Sequence, residues 1–170
     1  MESPPLMELP DIVQWARKVA KHLDRGFEIQ DVSELGAAPQ YARVEVQEAG
    51  GDANRPPYTF SVNRLKGSQS VQLEIERELR KRLCPVCDAR AESAPLADSD
   101  GFQIDCSVCG PFTIAGSLAV LFRSARTNGN VGLINKLGYL AGYIQATKAP
   151  VRVSPENWLT VVDDYKRQGI

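Results

Sequence analysis

Apolar positions recur at three- and four-residue spacing from Asp11 to about Asp24: Ile12, Trp15, Ala16, Val19, Ala20 and Leu23. With Arg17, Lys18 and Lys21 on the polar side, this predicts an amphipathic helix that stops at Gly26. The period then falls to two. Phe27-Glu28-Ile29, Ala42-Arg43-Val44-Glu45-Val46 and Tyr58-Thr59-Phe60-Ser61-Val62 alternate apolar with polar, the pattern of strands with one buried face. The link from Ala49 to Pro57 is turn-rich and predicts an exposed hairpin loop, too long and irregular for a two-residue turn. Ser70 to Leu83 is ambiguous by pattern, because Val71, Leu73 and Ile75 also alternate, and charge order decides for helix. Glu74, Glu76 and Glu78 precede Arg80, Lys81 and Arg82, as the macrodipole favours, giving Glu76–Arg80 and Glu78–Arg82 at i,i+4 spacing. Val71, Ile75, Leu79 and Leu83 then share a face.

Further on, Ser117–Arg126 and Val131–Thr147 read as two helices joined at Thr127-Asn128-Gly129-Asn130, the second with Leu133, Ile134, Leu137, Leu140, Ala141 and Ile144 on its apolar side. Pro150–Val153 reads as a short extended piece. Ser154-Pro155-Glu156 reads as a helix start, with a capping hydroxyl and a first-turn proline, ahead of Trp158, Leu159, Val162 and Tyr165 at core spacing. The chain shows no internal repeat.

Composition narrows the class. The 170 residues are 43% hydrophobic and 24% charged with a formal charge of −1, which excludes disorder throughout and disfavours a strongly basic nucleic-acid protein. Met1–Pro10 has neither the positive start nor the apolar core of a secretory signal. The longest nearly uncharged run, 110–122, is 13 residues, against about 20 for a membrane-spanning helix. The expectation is a cytoplasmic protein with no membrane contact, in a compartment that keeps thiols reduced.

That setting gives the four cysteines their meaning. Cys84-Pro85-Val86-Cys87 and Cys106-Ser107-Val108-Cys109 make a C-x2-C-x18-C-x2-C pattern, the spacing of a four-cysteine zinc site. A two-residue gap lets both sulfurs of a knuckle face one metal. The intervening residues can leave along 89–96, turn at 98–101 and return along 102–105. Gly110 after the second knuckle suits a left-handed backbone, and Asp88 holds the equivalent place after the first. Four thiolates with none to spare point to structural zinc, since catalytic zinc keeps a position for water. Two redox-active CxxC pairs and two disulfides are the alternative readings.

Residues 84–114 resemble a zinc ribbon. The longer stretch through Leu137-Gly138-Tyr139-Leu140-Ala141-Gly142-Tyr143-Ile144 and Ser154–Trp158 is similar to zinc-ribbon-plus-helix modules of uncharacterised bacterial proteins, some thought to belong to anti-phage or mobile-element systems. Neither resemblance implies a catalytic activity.

Other residues carry less specific signals. Arg77, Arg80, Lys81, Arg82 and Arg90 surround the first knuckle; they are either contacts for phosphate or an acidic protein, or a solvated helix end that offsets the −2 charge of a zinc tetrathiolate. Arg123, Arg126, Lys136, Lys148 and Arg152 form a second group able to extend such a patch. Phe102 and Phe112, expected near the ribbon surface, are the candidates for a partner contact. Tyr41, Tyr58, Phe60, Trp15 and Trp158 read as core. His22, the single histidine, has no nucleophile or orienting acid in a local motif, and no phosphate loop, HExxH or GxSxG occurs.

The expected architecture is α+β: an N-terminal segment 1–83 with a small antiparallel sheet and helices, a zinc-ribbon insertion at 84–115, and a C-terminal helical segment 116–170. The expected function is that of a non-enzymatic zinc-binding adaptor or accessory subunit of a bacterial complex, with a protein partner and no small-molecule substrate. One alternative is a nucleic-acid-binding ribbon using Arg80, Arg82 and Arg90. A second is a small enzyme with a site around Glu45, Asn63 and Arg64.

Overall fold

A computed structural model describes residues 4–49 and 56–169, so most of the loop predicted at 49–57 lies outside the described residues. The fold is α+β, with five helices and two sheets among these residues. It divides into two compact units, with the boundary between Leu79 and Arg80. No helix among the described residues is long and apolar enough to cross a membrane.

In the first unit, helix α1 (Leu9–Leu23) buries Ile12, Ala16, Val19, Ala20 and Leu23, the predicted stripe. It ends at Asp24, in the left-handed region at φ 49°, two residues before Gly26. Strands β1 (Phe27–Glu34), β2 (Tyr41–Glu48) and β3 (Tyr58–Asn63) form an antiparallel sheet in that order. β1 runs five residues past its predicted end because a bulge falls between Ile29 and Asp31. Ile29 pairs with Val46 and Val32 with Val44, so two residues three apart share the inner side, which strict alternation forbids. Ala42, Val44, Val46 and Val62 are fully buried on that face. Helix α2 (Ser68–Arg80) is tied to β3 by the Tyr58 hydroxyl, which donates to Glu78 O at 3.0 Å, and by Asn63 N, which donates to Glu74 Oε1 at 3.3 Å. Val71, Ile75 and Leu79 are buried, as the helical reading requires; the helix ends at Arg80, short of the predicted Leu83, which is buried in an isolated bridge to Arg90 in the second unit.

In the second unit, β4 (Ala91–Pro95), β5 (Gly101–Cys106) and β6 (Gly110–Ala115) are antiparallel neighbours, and β7 (Val151–Val153) joins β6 in parallel. Parallel neighbours need a long crossover; here it is the pair α3 (Gly116–Asn128) and α4 (Val131–Ala146). The sheet is therefore mixed, and β6 and its pairing with β7 go beyond the hairpin that the sequence predicts. Inward rows of the sheet carry Ile104 and Phe112, then Ile114 and Val153. They pack in one apolar cluster with Leu118, Phe122, Leu137, Leu140, Ile144, Trp158 and Val162. The Phe122 and Trp158 rings meet edge-on, 5.0 Å between centroids. Helix α5 (Trp158–Arg167) starts later than Ser154-Pro155-Glu156 suggests. Those residues form a turn in which Asn157 Oδ1 accepts from Ser154 N at 2.9 Å and Asn157 Nδ2 donates to Arg152 O at 2.8 Å. The asparagine side chain satisfies the incoming backbone in place of a serine cap.

Gly101 opens β5 where a Cβ would lie 2.6 Å from the Ile114 carbonyl of β6 and 3.1 Å from Leu96 Cδ1. Gly101→Ala is expected to cost about 1–3 kcal/mol through overpacking against backbone, read as a lower Tm of the metal-loaded protein. Gly36→Ala, with nothing within 4 Å of the added carbon, should leave Tm nearly unchanged.

Candidate metal centre

The two Cys-x-x-Cys turns are built alike. Cys84 N donates to Ala89 O at 2.7 Å and Asp88 N to Cys84 O at 2.9 Å, which closes the first knuckle. The second closes through the Cys106–Gly110 pair that ends the β5–β6 ladder. Both turns leave through a left-handed residue, Asp88 at φ 64° and Gly110 at φ 83°, the two positions the sequence marks for it. β4 joins the knuckles: Ala91 N donates to Arg82 O at 3.2 Å on one side, and Ala91 pairs with Cys106 on the other. Ser107 adds its N–H (3.2 Å) and its hydroxyl (3.1 Å) to Arg90 O.

This scaffold brings the Sγ atoms of Cys84, Cys87, Cys106 and Cys109 all within 4.8 Å of one another, with Cys87 and Cys106 3.4 Å apart. Four sulfurs about 2.3 Å from a tetrahedral metal stand about 3.8 Å apart, so the residues fit a metal ion. Cys84, Cys106 and Cys109 are 1%, 4% and 6% exposed, and Cys87 is half-buried. Val108 N and Cys109 N point at Cys106 Sγ, at 3.4 and 3.3 Å. Metal-free, the sulfurs must share protons. Hydrogen bonds donated by Cys109, Cys84 and Cys87 pull the Cys106 thiol far down, and those same bonds to Cys106 push Cys84 and Cys109 up. Cys87 falls to about 7: its bond with Cys106 raises it, while its bonds with Cys109 and Cys84 lower it. A cation replaces these shared protons and lets all four sulfurs be thiolates at once.

The basic residues divide into those that serve this centre and those that do not. Arg80 is buried and pairs with Asp88 Oδ1 at 3.0 Å, beside the left-handed residue of the first knuckle, rather than standing at a solvated helix end. From α3, Arg126 Nη2 donates to Val86 O at 2.6 Å, inside the first knuckle. Arg123 Nη2 donates to Leu83 O at 3.2 Å, just before it. Sequence patterning places Arg123 and Arg126 in a surface group and gives no sign that their targets lie about 40 residues back in the chain. Arg82 and Arg90 are half-buried beside the first knuckle, and Lys81 is exposed. Phe112 is 2% exposed. Expected at the surface, it instead lies on the inward side of β6 opposite Ile104. Phe102 is half-buried.

The residues of the alternative N-terminal site are otherwise engaged. Arg64, 6% exposed, donates to Met7 O (2.9 Å), Pro39 O (2.9 Å) and Glu34 Oε2 (3.1 Å), and so pins the segment before α1 to the β1–β2 turn. Asn63 Oδ1 accepts from Leu65 N at 2.9 Å, and Glu45 is half-buried on β2. His22 is exposed on α1 and belongs to the first unit. In comparisons with family models, curated proteins and solved structures, nothing matches the chain, so the geometry alone carries the functional reading.

Two outcomes are expected. Arg126→Ala removes a charge-assisted bond to the knuckle, worth about 1.5–3 kcal/mol, and should lower Tm and speed metal loss to a competing chelator. Because metal must displace protons from Cys84 and Cys109, whose thiols are pushed up, apparent metal affinity should fall with pH by at least about tenfold per unit. Competition titrations between about pH 8 and about pH 6 measure it.

Proposed function

We propose that the chain is a zinc-binding interaction protein without catalysis of its own, an adaptor or accessory subunit in which zinc is structural. The observation that carries this reading is the closure of the site. Four cysteine sulfurs supply a full tetrahedral set, and the same apolar cluster holds three of them together with residues of the sheet and all three following helices. A metal held this way has no protein-vacant position at which to activate water. All-sulfur ligation favours zinc or iron over oxygen-preferring ions, and the C-x2-C-x18-C-x2-C spacing is that of four-cysteine zinc sites.

The metal in this reading contributes folding energy, on the order of 10 kcal/mol in small zinc domains. Exposed apolar side chains support an interaction role. Val120 (65%) and Leu121 (45%) stand together on the outer side of α3, and Val108 (56%) tips the second knuckle. The bacterial setting implied by the ribbon-plus-helix resemblance belongs to the same proposal. The nucleic-acid alternative around the first knuckle is less well supported, because Arg80 faces inward.

Native mass spectrometry of the protein purified without chelator from its own cells tests the proposal. One zinc per chain and a stoichiometric protein partner is the expected result; nucleic acid in place of a partner, or a catalytic metal in place of zinc, overturns it. Cys87→Ser and Cys106→Ser should each aggregate or lose solubility. A soluble, folded, metal-free double variant would count against a structural metal.

A further inference from the structure

The outward side of the second sheet differs from its inward side. Gln103 pairs with Thr113 and Thr113 with Arg152 across three adjacent strands, so an amide, a hydroxyl and a guanidinium project on one side about 4.8 Å apart. The segment from α4 to β7 passes beside this row and closes a cleft of about 450 Å³ lined also by Gln145, Thr147 and Lys148, with Cys109, Phe112 and Ile144 contributing to its wall. No acidic side chain lines it. The nearest acids by register are Asp105, opposite Pro111, and Glu92 beyond it, on the next outward row.

Lys148 and Arg152 are both exposed, and their side chains have no ion-pair or hydrogen-bond partner among the described residues. The end of α4 does not use up the lysine, since its Tyr143 and Ile144 carbonyls accept from Thr147 N at 3.0 and 3.4 Å, and the Thr147 hydroxyl also donates to Tyr143 O at 2.7 Å. The second unit as a whole carries eleven Lys and Arg against eight Asp and Glu, whereas residues 1–79 carry nine against thirteen. A loaded tetrathiolate centre of net charge −2 brings this formal +3 to about +1, so the positive charge that bears on the cleft is local, that of Lys148 and Arg152.

We propose that this cleft binds a phosphate group. Lys148 and Arg152 supply the charge, and Gln103, Gln145 and Thr113 supply neutral donors. A carboxylate presents two oxygens in one plane; a phosphate monoester presents three terminal oxygens and a backbone diester two, out of plane with its ester oxygens in a tetrahedral spread, which suits donors from a sheet row on one side and a connecting segment on the other. The cleft is of a size that takes small ligands. The phosphate comes either from a free nucleotide or from a nucleic-acid backbone, and the two are separable by titration. Cys109 of the metal cluster also lines the cleft, so the metal-loaded protein is the form to test.

The test is a ¹⁵N NMR titration of the metal-loaded full chain with inorganic phosphate, a mononucleotide and a short single-stranded oligonucleotide, with acetate as the charge control. Phosphate is expected to shift the amides of Thr113 and 147–153 where acetate at equal concentration does not. Lys148→Gln and Arg152→Gln should each weaken binding about tenfold or more, about 1.4 kcal/mol, with zinc content and Tm unchanged. Tighter binding of the oligonucleotide with a steep salt dependence assigns the phosphate to a nucleic-acid backbone; tighter binding of the mononucleotide assigns it to a free nucleotide. Absence of shifts, equal shifts with acetate, or binding unaffected by both variants overturns the proposal.

Discussion

Four sulfurs brought within 4.8 Å of one another are the constraint on which the second unit depends. Without a cation they repel as thiolates or must share protons as thiols; with one they form a centre of net charge −2 inside an apolar cluster. Burying such a charge is costly unless it is paired and hydrogen-bonded. The chain answers with backbone N–H groups aimed at Cys106 and with arginines at the first knuckle: Arg80 on Asp88, Arg126 on Val86 O and Arg123 on Leu83 O. Two of the three come from α3, so the helix that follows the ribbon helps to hold its first turn. Ribbon and helices thus share a core rather than merely following one another in sequence.

The same device appears in the first unit with no metal near. Irregular segments leave carbonyls without ladder partners, and a guanidinium offers five donors in a fixed fork. Arg64 spends its donors on Met7 O, Pro39 O and Glu34, as Arg123 and Arg126 spend theirs at the knuckle. A buried arginine of this kind reads as function in a sequence, because charge is what the sequence displays. Its target, a main-chain oxygen far off in the chain, has no signature there.

What was legible follows from that difference. Local periodicity announced four of the helices and the cores of the three N-terminal strands, charge order announced α2, and the cysteine spacing announced both knuckles down to the left-handed Asp88 and Gly110. The β1 extension was hidden because a bulge at Gln30 breaks the alternation that would announce it. β6 was hidden because Gly110-Pro111-Phe112-Thr113-Ile114 carries turn-forming residues at its start, and its partner β7 lies 36 or more residues away in sequence. The helix start at Ser154 failed for a competing reason, since Asn157 offers the better side-chain acceptor.

Phe112 shows how much one residue of register decides. On β6 it lies opposite Ile104 and points into the cluster; Thr113, its neighbour, lies opposite Gln103 and Arg152 and points out. An aromatic next to a metal knuckle is an attractive contact residue, but strand alternation assigns it to the core as soon as Ile104 and Ile114 are seen to share its side. Any recognition by this sheet then falls to the other row, which is polar and ends in an arginine. The second knuckle closes at the Cys106–Gly110 pair that sets the register of β5 against β6, and that register determines which side chains reach solvent. The candidate metal centre and the polar row thus meet at the second knuckle, where Cys109 both faces the other sulfurs and lines the cleft.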